Sequence, residues 1–395
     1  MRIGMILENP FPEDNRVEKE AKSLHKAGNE IYILSRLKMG SPFVEEYEHY
    51  TVVRFDMDRH QIRKRLTRKY KKIFFYDPVW AIGIRSFIKE YHIDVLHVHD
   101  LPLVKTAFKV AKKHRIPVVA DYHEDYPAHL KATNTPSMTR MRRFYRSYKR
   151  WRRYEGEMSR KVGRIIVVVQ EQRENLIRDH KIRSDKVTIV HNTIDIDKLK
   201  DTETDHIVSE NEFVLSYIGG LAPHRGLDVV IGAMPKIISN IPQARLVIVG
   251  SGKGQIEKNL QDLAEQVNVS NYVRFLGWKK YAELPFYFRQ ANIGVIPHHH
   301  AYKPEQISSP NKLFEYMYFK VPLVVSDMGT LKRLIEETGG GLVFRTNDVK
   351  DFAEKLLEIY NSPINYGEMG YKAVMEKYNW SVDGERLVNL YKSLN

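Results

Sequence analysis

FVLSYIGGLAPHRGLDVVIGAM, residues 213–234, passes from an apolar run through a glycine pair into an amphipathic repeat. An apolar run without polar alternation reads as a strand buried on both faces. Gly219 and Gly220 then open a turn through which the backbone can approach a ligand closely. Arg225 and Gly226 stand at the entrance of the helix that follows. An arginine there can fork onto phosphate oxygens while the helix N–H groups face the same anion. The same residues would also serve an ordinary strand-to-helix turn with a surface arginine.

Working outward, the pattern recurs. RIGMIL, EIYILS, YTVVRF, DVLHVHD, PVVADYH, RIIVVV and VTIVHN fill the first half of the chain. ARLVIVG, VRFLG, ANIGVIP, PLVVSD and GLVFR continue the second half, with helical patterns between them. The expected fold is α/β, with two doubly wound Rossmann-like domains, residues 1–200 and 210–375. The polar, acidic stretch KDTETDHIVSENE, residues 200–212, reads as the linker between them. A last amphipathic helix over 380–395 has Val382, Leu387, Leu390 and Tyr391 as its apolar side. Folds of this kind bind ligands beyond the C-terminal ends of their strands, so two facing domains imply a central cleft.

Composition narrows the chemistry. There is no cysteine among the 395 residues, hence no disulfide framework, thiolate metal site or thiol nucleophile. The N-terminus lacks the basic start and apolar core of a signal peptide, and no apolar stretch approaches the ~18 residues of a membrane span. The expected location is cytoplasmic, peripheral on the inner face of a membrane. The net charge of +14 is concentrated in two places. Residues 59–72 hold eight Lys/Arg and no acid, and residues 131–164 hold twelve against Glu155 and Glu157. In RMRRFYRSYKRWRRYEGEM, residues 140–158, Met141, Phe144, Tyr148, Trp151 and Met158 fall near one helical face, with arginines around the rest. An aromatic stripe of this kind is commonly core. The arginine density exceeds what packing needs and points to an anionic membrane surface, contacted by Arg142, Arg143, Arg146, Arg150 and Arg152. No nucleic-acid-binding module accompanies the charge.

Two further stretches carry ligand chemistry. ARLVIVGSGKG, residues 244–254, repeats the strand and glycine turn, without the spacing of a dinucleotide fingerprint. In SSPNKLFEYM, residues 308–317, Ser309 and Pro310 read as a helix start. Lys312 then lies in the first turn, where the helix dipole disfavours a cation and an anion would relieve the conflict. Glu315, acceptor-only when ionised, can take two hydroxyl hydrogen bonds from a vicinal diol. A surface Lys–Glu pair is the plainer alternative. His97 and His99 share one face of a strand, and His123 follows the next. The three could bind zinc, but strand-end histidines more often hydrogen-bond internally, and no metal is expected. The histidines at 298–300 end a strand and read as loop lining.

GGLAPHRGLDVV, LVIVGSGKG, VRFLGW, ANIGVIPH and SPNKLFEYMYFKVPLVVSD occur in the order and spacing of the retaining glycosyltransferases of family 4, whose fold is termed GT-B. PFPEDNRVEKEAKSLHKAGNEIYILS resembles the first loop and helix of one branch, and WSVDGERLVNLYKSL resembles the helix that crosses back onto the N-terminal domain. The resemblance implies transfer of a sugar from a nucleotide diphosphate donor, a UDP-sugar foremost, to a hydroxyl of a glycan or lipid-linked acceptor. It implies no bound cofactor and no metal requirement. It places Gly219, Gly220, Arg225, Gly250, Gly252, Gly277, Asn311, Lys312, Leu313 and Glu315 at the donor. His123, Arg225 and Lys312 would be catalytic, and Asp14, Asn15, Arg16, His99 and Glu124 would lie in the first loop or on the acceptor side. Ile307 stands where the family has its first motif acid, with Glu305 two residues out of register. That departure keeps open a GT-B-fold epimerase or a non-catalytic nucleotide-sugar binder.

Overall fold

The apolar runs become the central strands of two separate sheets. The computed structural model describes residues 1–12, 14–57, 70–133, 138–199, 211–299 and 311–394. Glu305, Ile307, Ser309, Pro310, His300, residues 59–69 of the first basic run and residues 200–210 of the expected linker lie outside them.

The first unit runs from Met1 to His191 and takes in the chain from Ser381 onward. Its elements are β1 (Arg2–Ile6), α1 (Asn15–Lys26), β2 (Glu30–Arg36), β3 (Val44–Tyr47), β4 (Tyr50–Phe55) and α2 (Pro78–Glu90). There follow β5 (Val95–His99), α3 (Val104–His114), β6 (Val118–Tyr122), α4 (Tyr126–Ala132), α5 (Arg140–Tyr145) and α6 (Tyr148–Lys161). β7 (Arg164–Val167), α7 (Gln170–His180) and β8 (Val187–Ile189) complete it. The strands are ordered β3-β4-β2-β1-β5-β6-β7-β8, all parallel except β3 on the edge. Helix α2 shows how the sequence sets one element. Asp77 accepts from the N–H groups of Val79 and Trp80, and Pro78 occupies the first turn. Trp80, Ile84, Phe87 and Ile88 then recur at helical spacing and sit buried in the core. Each such side chain contributes about 1.5–3 kcal/mol by leaving water.

The second unit runs from Asn192 to Trp380. It comprises β9 (Phe213–Ile218), α8 (Leu227–Asn240), β10 (Ala244–Val249), α9 (Ile256–Gln266), β11 (Val273–Phe275), α10 (Leu284–Arg289) and β12 (Ile293–Ile296). α11 (Asn311–Tyr318), β13 (Leu323–Ser326), α12 (Gly329–Thr338), β14 (Gly341–Phe344), α13 (Val349–Asn361) and α14 (Tyr366–Glu376) follow. The six described strands are ordered β11-β10-β9-β12-β13-β14, with every pairing parallel. The change of unit falls at His191, ahead of the polar segment expected to mark it. Ile194 and Leu199 already pack in a second-unit cluster, and Ile194 bridges Asn379.

The last helix, α15 (Trp380–Lys392), buries Leu387, Leu390 and Tyr391 as its pattern requires, while Val382 is half-buried. Its Asp383 is buried as well, and accepts from the His191 main-chain N–H at 3.1 Å.

Candidate functional site

In the second unit the turn after β9 meets the first turn of α11 at Lys312. Gly219 has φ +147°, and a Cβ there would stand 3.3 Å from Lys312 Nζ. The lysine is 8% exposed and has folded inward, its Nζ 3.9 Å from the centroid of the Tyr217 ring. Nζ has no hydrogen-bond partner among the described residues. Burial, and then the charge of Arg225, hold the Lys312 pKa well below its ordinary value, with Glu315 opposing them. A buried ammonium without an acceptor is costly, so the arrangement favours an incoming anion. Arg225 Nη1 lies 3.0 Å from His298 Nε2. A guanidinium can only donate, so the ring nitrogen accepts. Burial, then Lys312 and Arg225, keep His298 neutral by lowering its pKa.

Glu315 is 4% exposed and accepts from the Tyr281 hydroxyl, whose pKa is raised by burial and then by the Glu315 charge. The Tyr316 hydroxyl donates to the Ser216 carbonyl at 2.8 Å, which fixes α11 against β9. Lys312 and Glu315 therefore project from a rigid element. Gly250, at φ +142°, would place a Cβ 2.0 Å from the Gly219 carbonyl oxygen, so no side chain fits where the two turns touch. Its N–H donates to Gly277 O at 2.8 Å, and Leu221 N–H donates to Ser251 O at 2.9 Å, beside Gly252. The Gly220 carbonyl accepts from the Tyr217 hydroxyl at 2.9 Å. Asn311 opens α11 and is exposed. Leu313, expected at the donor, has its side chain wholly buried in the apolar core, which leaves its main chain for a ligand.

The first unit holds a second buried polar centre. Asp14 caps α1 by accepting from the N–H groups of Arg16 and Val17, and Asn15 begins the helix on the exposed side. Arg16 does not face outward as a first-loop residue. Its guanidinium lies 3.0 Å from Glu20 Oε1 and 3.2 Å from Asp121 Oδ1, and Nη1 donates to Val190 O at 3.2 Å. The two buried carboxylates draw it in. His99 is buried too, which corrects its placement as an acceptor-side group. Its Nδ1 is 3.1 Å from His123 Nε2, which is also 3.1 Å from Asp121 Oδ2. His97 Nδ1 pairs with the Tyr391 hydroxyl at 2.8 Å, tying the last helix to the sheet.

The charges of this centre compensate one another. Burial alone would lower the His123 pKa, but Asp121 and then Asp100 raise it to about 10. Burial would raise Asp121, but Arg16 and His123 hold it well below the carboxylate range. Burial pushes Glu20 up to about 8, against the pull of Arg16. Burial lowers His97, and takes His99 down to about 3. Ligating atoms of Glu20, His97, His99 and Asp121 lie within 4.8 Å of one another, a spacing a divalent ion can bridge. Arg16 and His123 supply opposing charge beside the set, while both Glu20 oxygens, His97 Nε2 and His99 Nε2 have no hydrogen-bond partner among the described residues. Glu124 stands apart from it, its Oε2 3.2 Å from His129 Nδ1.

The expected single helix over 140–158 is two, α5 and α6, broken at Arg146–Ser147. Met158 is core, whereas Met141 and Phe144 are 62% and 56% exposed, so the aromatic stripe is not one buried face. Arg152 corrects the membrane-contact reading. Its guanidinium is held internally by Glu155 at 2.7 Å, Asp179 at 3.1 Å and Asp125 at 3.4 Å. Arg142 and Arg143 are exposed, Arg146 donates to Leu130 O at 3.4 Å, and Arg150 reaches the Ile73 carbonyl. Sequence reasoning missed Glu20, Asp121, Tyr217 and Tyr281. Asp121 had a readable signal, a carboxylate inside the apolar strand VVADY; Glu20 resembled any surface acid of an amphipathic helix.

Two family models match this chain, that of glycosyltransferase family 4 over residues 15–198 and that of the glycosyl transferases group 1 over residues 200–374. The chain belongs to the family 4 glycosyltransferases. Its fold is GT-B, two Rossmann-like domains with parallel sheets. The structure resembles sucrose-phosphate synthase of Thermosynechococcus elongatus, with TM-score 0.75 and 17% identity over 100% of this chain and 98% of that one. It also resembles Anabaena HepE in complex with UDP, with TM-score 0.70 and 14% identity over the full length of both. In sequence it is 23% identical to the phosphatidyl-myo-inositol mannosyltransferase of Mycolicibacterium smegmatis, over 100% of this chain and 94% of that protein. An uncharacterised glycosyltransferase of Methanocaldococcus jannaschii is 28% identical over 58% of this chain, and the match spans 59% of its own length. Among the described residues no helix is long and apolar enough to cross a membrane.

Proposed function

We propose that this glycosyltransferase moves a sugar from a nucleotide diphosphate donor, a UDP-sugar foremost, to a hydroxyl of a glycan or lipid-linked acceptor, with retention of anomeric configuration. The product would serve cell-surface polysaccharide or glycolipid synthesis. The observation that carries the reading is Lys312, a buried ammonium without an acceptor, beside Arg225. Both charges and the first-turn amides of α11 would hold the diphosphate, and Glu315 would accept from the ribose hydroxyls. His123, Arg225 and Lys312 are the proposed catalytic residues.

As the anomeric C–O bond breaks, negative charge grows on the departing phosphate, where preorganised cations act most strongly. The acceptor oxygen bonds to the anomeric carbon from the same face, and its proton passes to the leaving phosphate oxygen. No protein nucleophile is needed. Because two protein cations supply the compensating charge, turnover is expected to continue in EDTA. An anionic membrane surface is the proposed partner, and the inner face of the membrane the proposed location.

Calorimetry with UDP on Arg225→Ala, Lys312→Ala and Glu315→Ala tests the site, each being expected to bind at least tenfold more weakly. Unchanged affinity in all three would remove the site. A donor panel with and without lipid extract tests the reaction. Product whose anomeric configuration is inverted, or turnover without acceptor, would contradict it.

A further inference from the structure

The buried centre of the first unit gathers four ligand-type side chains from three elements. His97 and His99 alternate onto one face of β5, and their rings stack at 4.3 Å. Asp121 pairs in register with His99 on the neighbouring strand β6. Glu20 reaches the same point from α1, one turn beyond Arg16. All four are at most 1% exposed. His97 Nε2 lies 3.5 Å from Glu20 Oε2 and 3.5 Å from Asp121 Oδ2. His99 Nδ1 lies 3.5 Å from Asp121 Oδ2 and 4.0 Å from Glu20 Oε2. These gaps are long for hydrogen bonds, and the Glu20 oxygens and His97 Nε2 have no hydrogen-bond partner among the described residues. Three of the four match the edge of a tetrahedron, about 3.3–3.6 Å when zinc holds nitrogen and oxygen at about 2.0–2.2 Å.

The surroundings orient these atoms as a metal centre requires. The Tyr391 hydroxyl lies 2.8 Å from His97 Nδ1, which fixes the ring with Nε2 towards the carboxylates. The Arg16 guanidinium holds the outer oxygens, Glu20 Oε1 at 3.0 Å and Asp121 Oδ1 at 3.2 Å. It also reaches Asp121 Oδ2 at 3.3 Å. His99 Nδ1 is contested, since it lies 3.1 Å from His123 Nε2 as well. The charges balance with an ion in place. Glu20, Asp121 and Asp100, whose Oδ1 is 3.7 Å from His123 Nδ1, offset Arg16 and a divalent cation when His123 is neutral. Two imidazoles and two carboxylates favour Zn²⁺ over Mg²⁺ or Ca²⁺, which take oxygen ligands. A proton is the competitor, because burial raises the Glu20 pKa to about 8 in the metal-free centre.

We propose that Glu20, His97, His99 and Asp121 form a structural Zn²⁺ site, filled as the first unit folds. The ion supplies no step of the transfer reaction, and the inference is independent of the donor chemistry in the second unit. With its ligands this deeply buried, a chelator reaches it only through unfolding, so a bound ion is compatible with turnover in EDTA. Of the three histidines whose spacing allows zinc, two are ligands and His123 is their neighbour.

Refolding tests the site directly. Full-length protein without an affinity tag is unfolded in urea with EDTA, freed of both, and refolded with or without Zn²⁺ or Co²⁺. Expected are about one Zn²⁺ per chain by elemental analysis and the visible absorption of four-coordinate Co²⁺. The melting temperature should rise by at least about 5 °C with Zn²⁺. Glu20→Gln and His97→Gln should each weaken Zn²⁺ binding at least about tenfold while UDP affinity stays unchanged. His123→Asn should keep the Co²⁺ spectrum; its loss would make His123 a ligand and overturn the four-residue set. In wild type, which needs no variant to fold, equal melting temperatures with and without Zn²⁺, or no Co²⁺ absorption, overturn the site. Undiminished Zn²⁺ binding by both ligand variants overturns its location, and an equal rise with Mg²⁺ overturns the choice of ion.

Discussion

Both units bury a lysine or arginine next to histidine and glutamate, and they treat the charge in opposite ways. In the first, Arg16 faces Glu20 at 3.0 Å and Asp121 at 3.2 Å, and His123 faces Asp121 at 3.1 Å, so each cation has a carboxylate beside it, while the Glu20 oxygens and the Nε2 atoms of His97 and His99 have no hydrogen-bond partner among the described residues. In the second, Lys312 and Arg225 lie near each other, with a tyrosine ring and a neutral imidazole as their neighbours. Burying a compensated charge builds structure, because removing one partner leaves the other stranded in low dielectric. Burying an uncompensated one stores a demand for an anion. The difference is the physical ground for proposing the anion site in the second unit.

The largest effect that could break this comparison lies in the ion-paired centre of the first unit. Asp121→Asn strands Arg16 and His123, and should cost about 3–5 kcal/mol in urea unfolding. A loss under 1 kcal/mol would mean that these ion pairs do not hold the fold. Next, Arg225→Ala should cost about 1.5–3 kcal/mol of UDP binding, the worth of a charge-assisted contact, with stability within about 0.5 kcal/mol of wild type. Glu315→Gln should cost about 1 kcal/mol, because the amide can still accept from one ribose hydroxyl.

Titration supplies a smaller effect with a definite sign. Folded His123 has its pKa raised from 6.5 to about 10, so its contribution is complete below pH 6.5 and is lost as pH rises towards 10. Glu20 is also raised, from 4.5 to about 8, so its contribution is complete below pH 4.5 and gone above pH 8. Asp121 is depressed, and its contribution is lost only as pH falls through the acid range. The melting temperature should therefore fall between pH 7 and 10, and His123→Asn should flatten that decline. A decline of equal slope in the variant would place the titrating group elsewhere. Smallest of all, Arg142→Glu on the exposed helix should leave stability within about 0.5 kcal/mol of wild type.

The sheets were legible because parallel strands covered on both faces must be continuously apolar, as FVLSYI and ARLVIV are. Strand β3, VEEY, escaped because an antiparallel edge strand needs no such run. The Lys312–Glu315 pair was legible as a conflict with the helix dipole, but its depth was not. Tyr217 reads as one more strand residue until the fold brings its ring beneath the ammonium. Arg152 misled for the opposite reason: within an arginine-rich run, nothing local distinguishes the guanidinium that will meet Asp125, Glu155 and Asp179 from those that stay in water.

The central claim is that the charge on Lys312 serves a ligand and not the fold. Lys312→Met keeps the unbranched stem of the side chain and removes the ammonium, so urea stability and UDP affinity measured on one preparation decide it. Stability at or above that of wild type, with UDP binding at least tenfold weaker, is the predicted result. A destabilised protein that binds UDP as tightly as wild type would contradict the account.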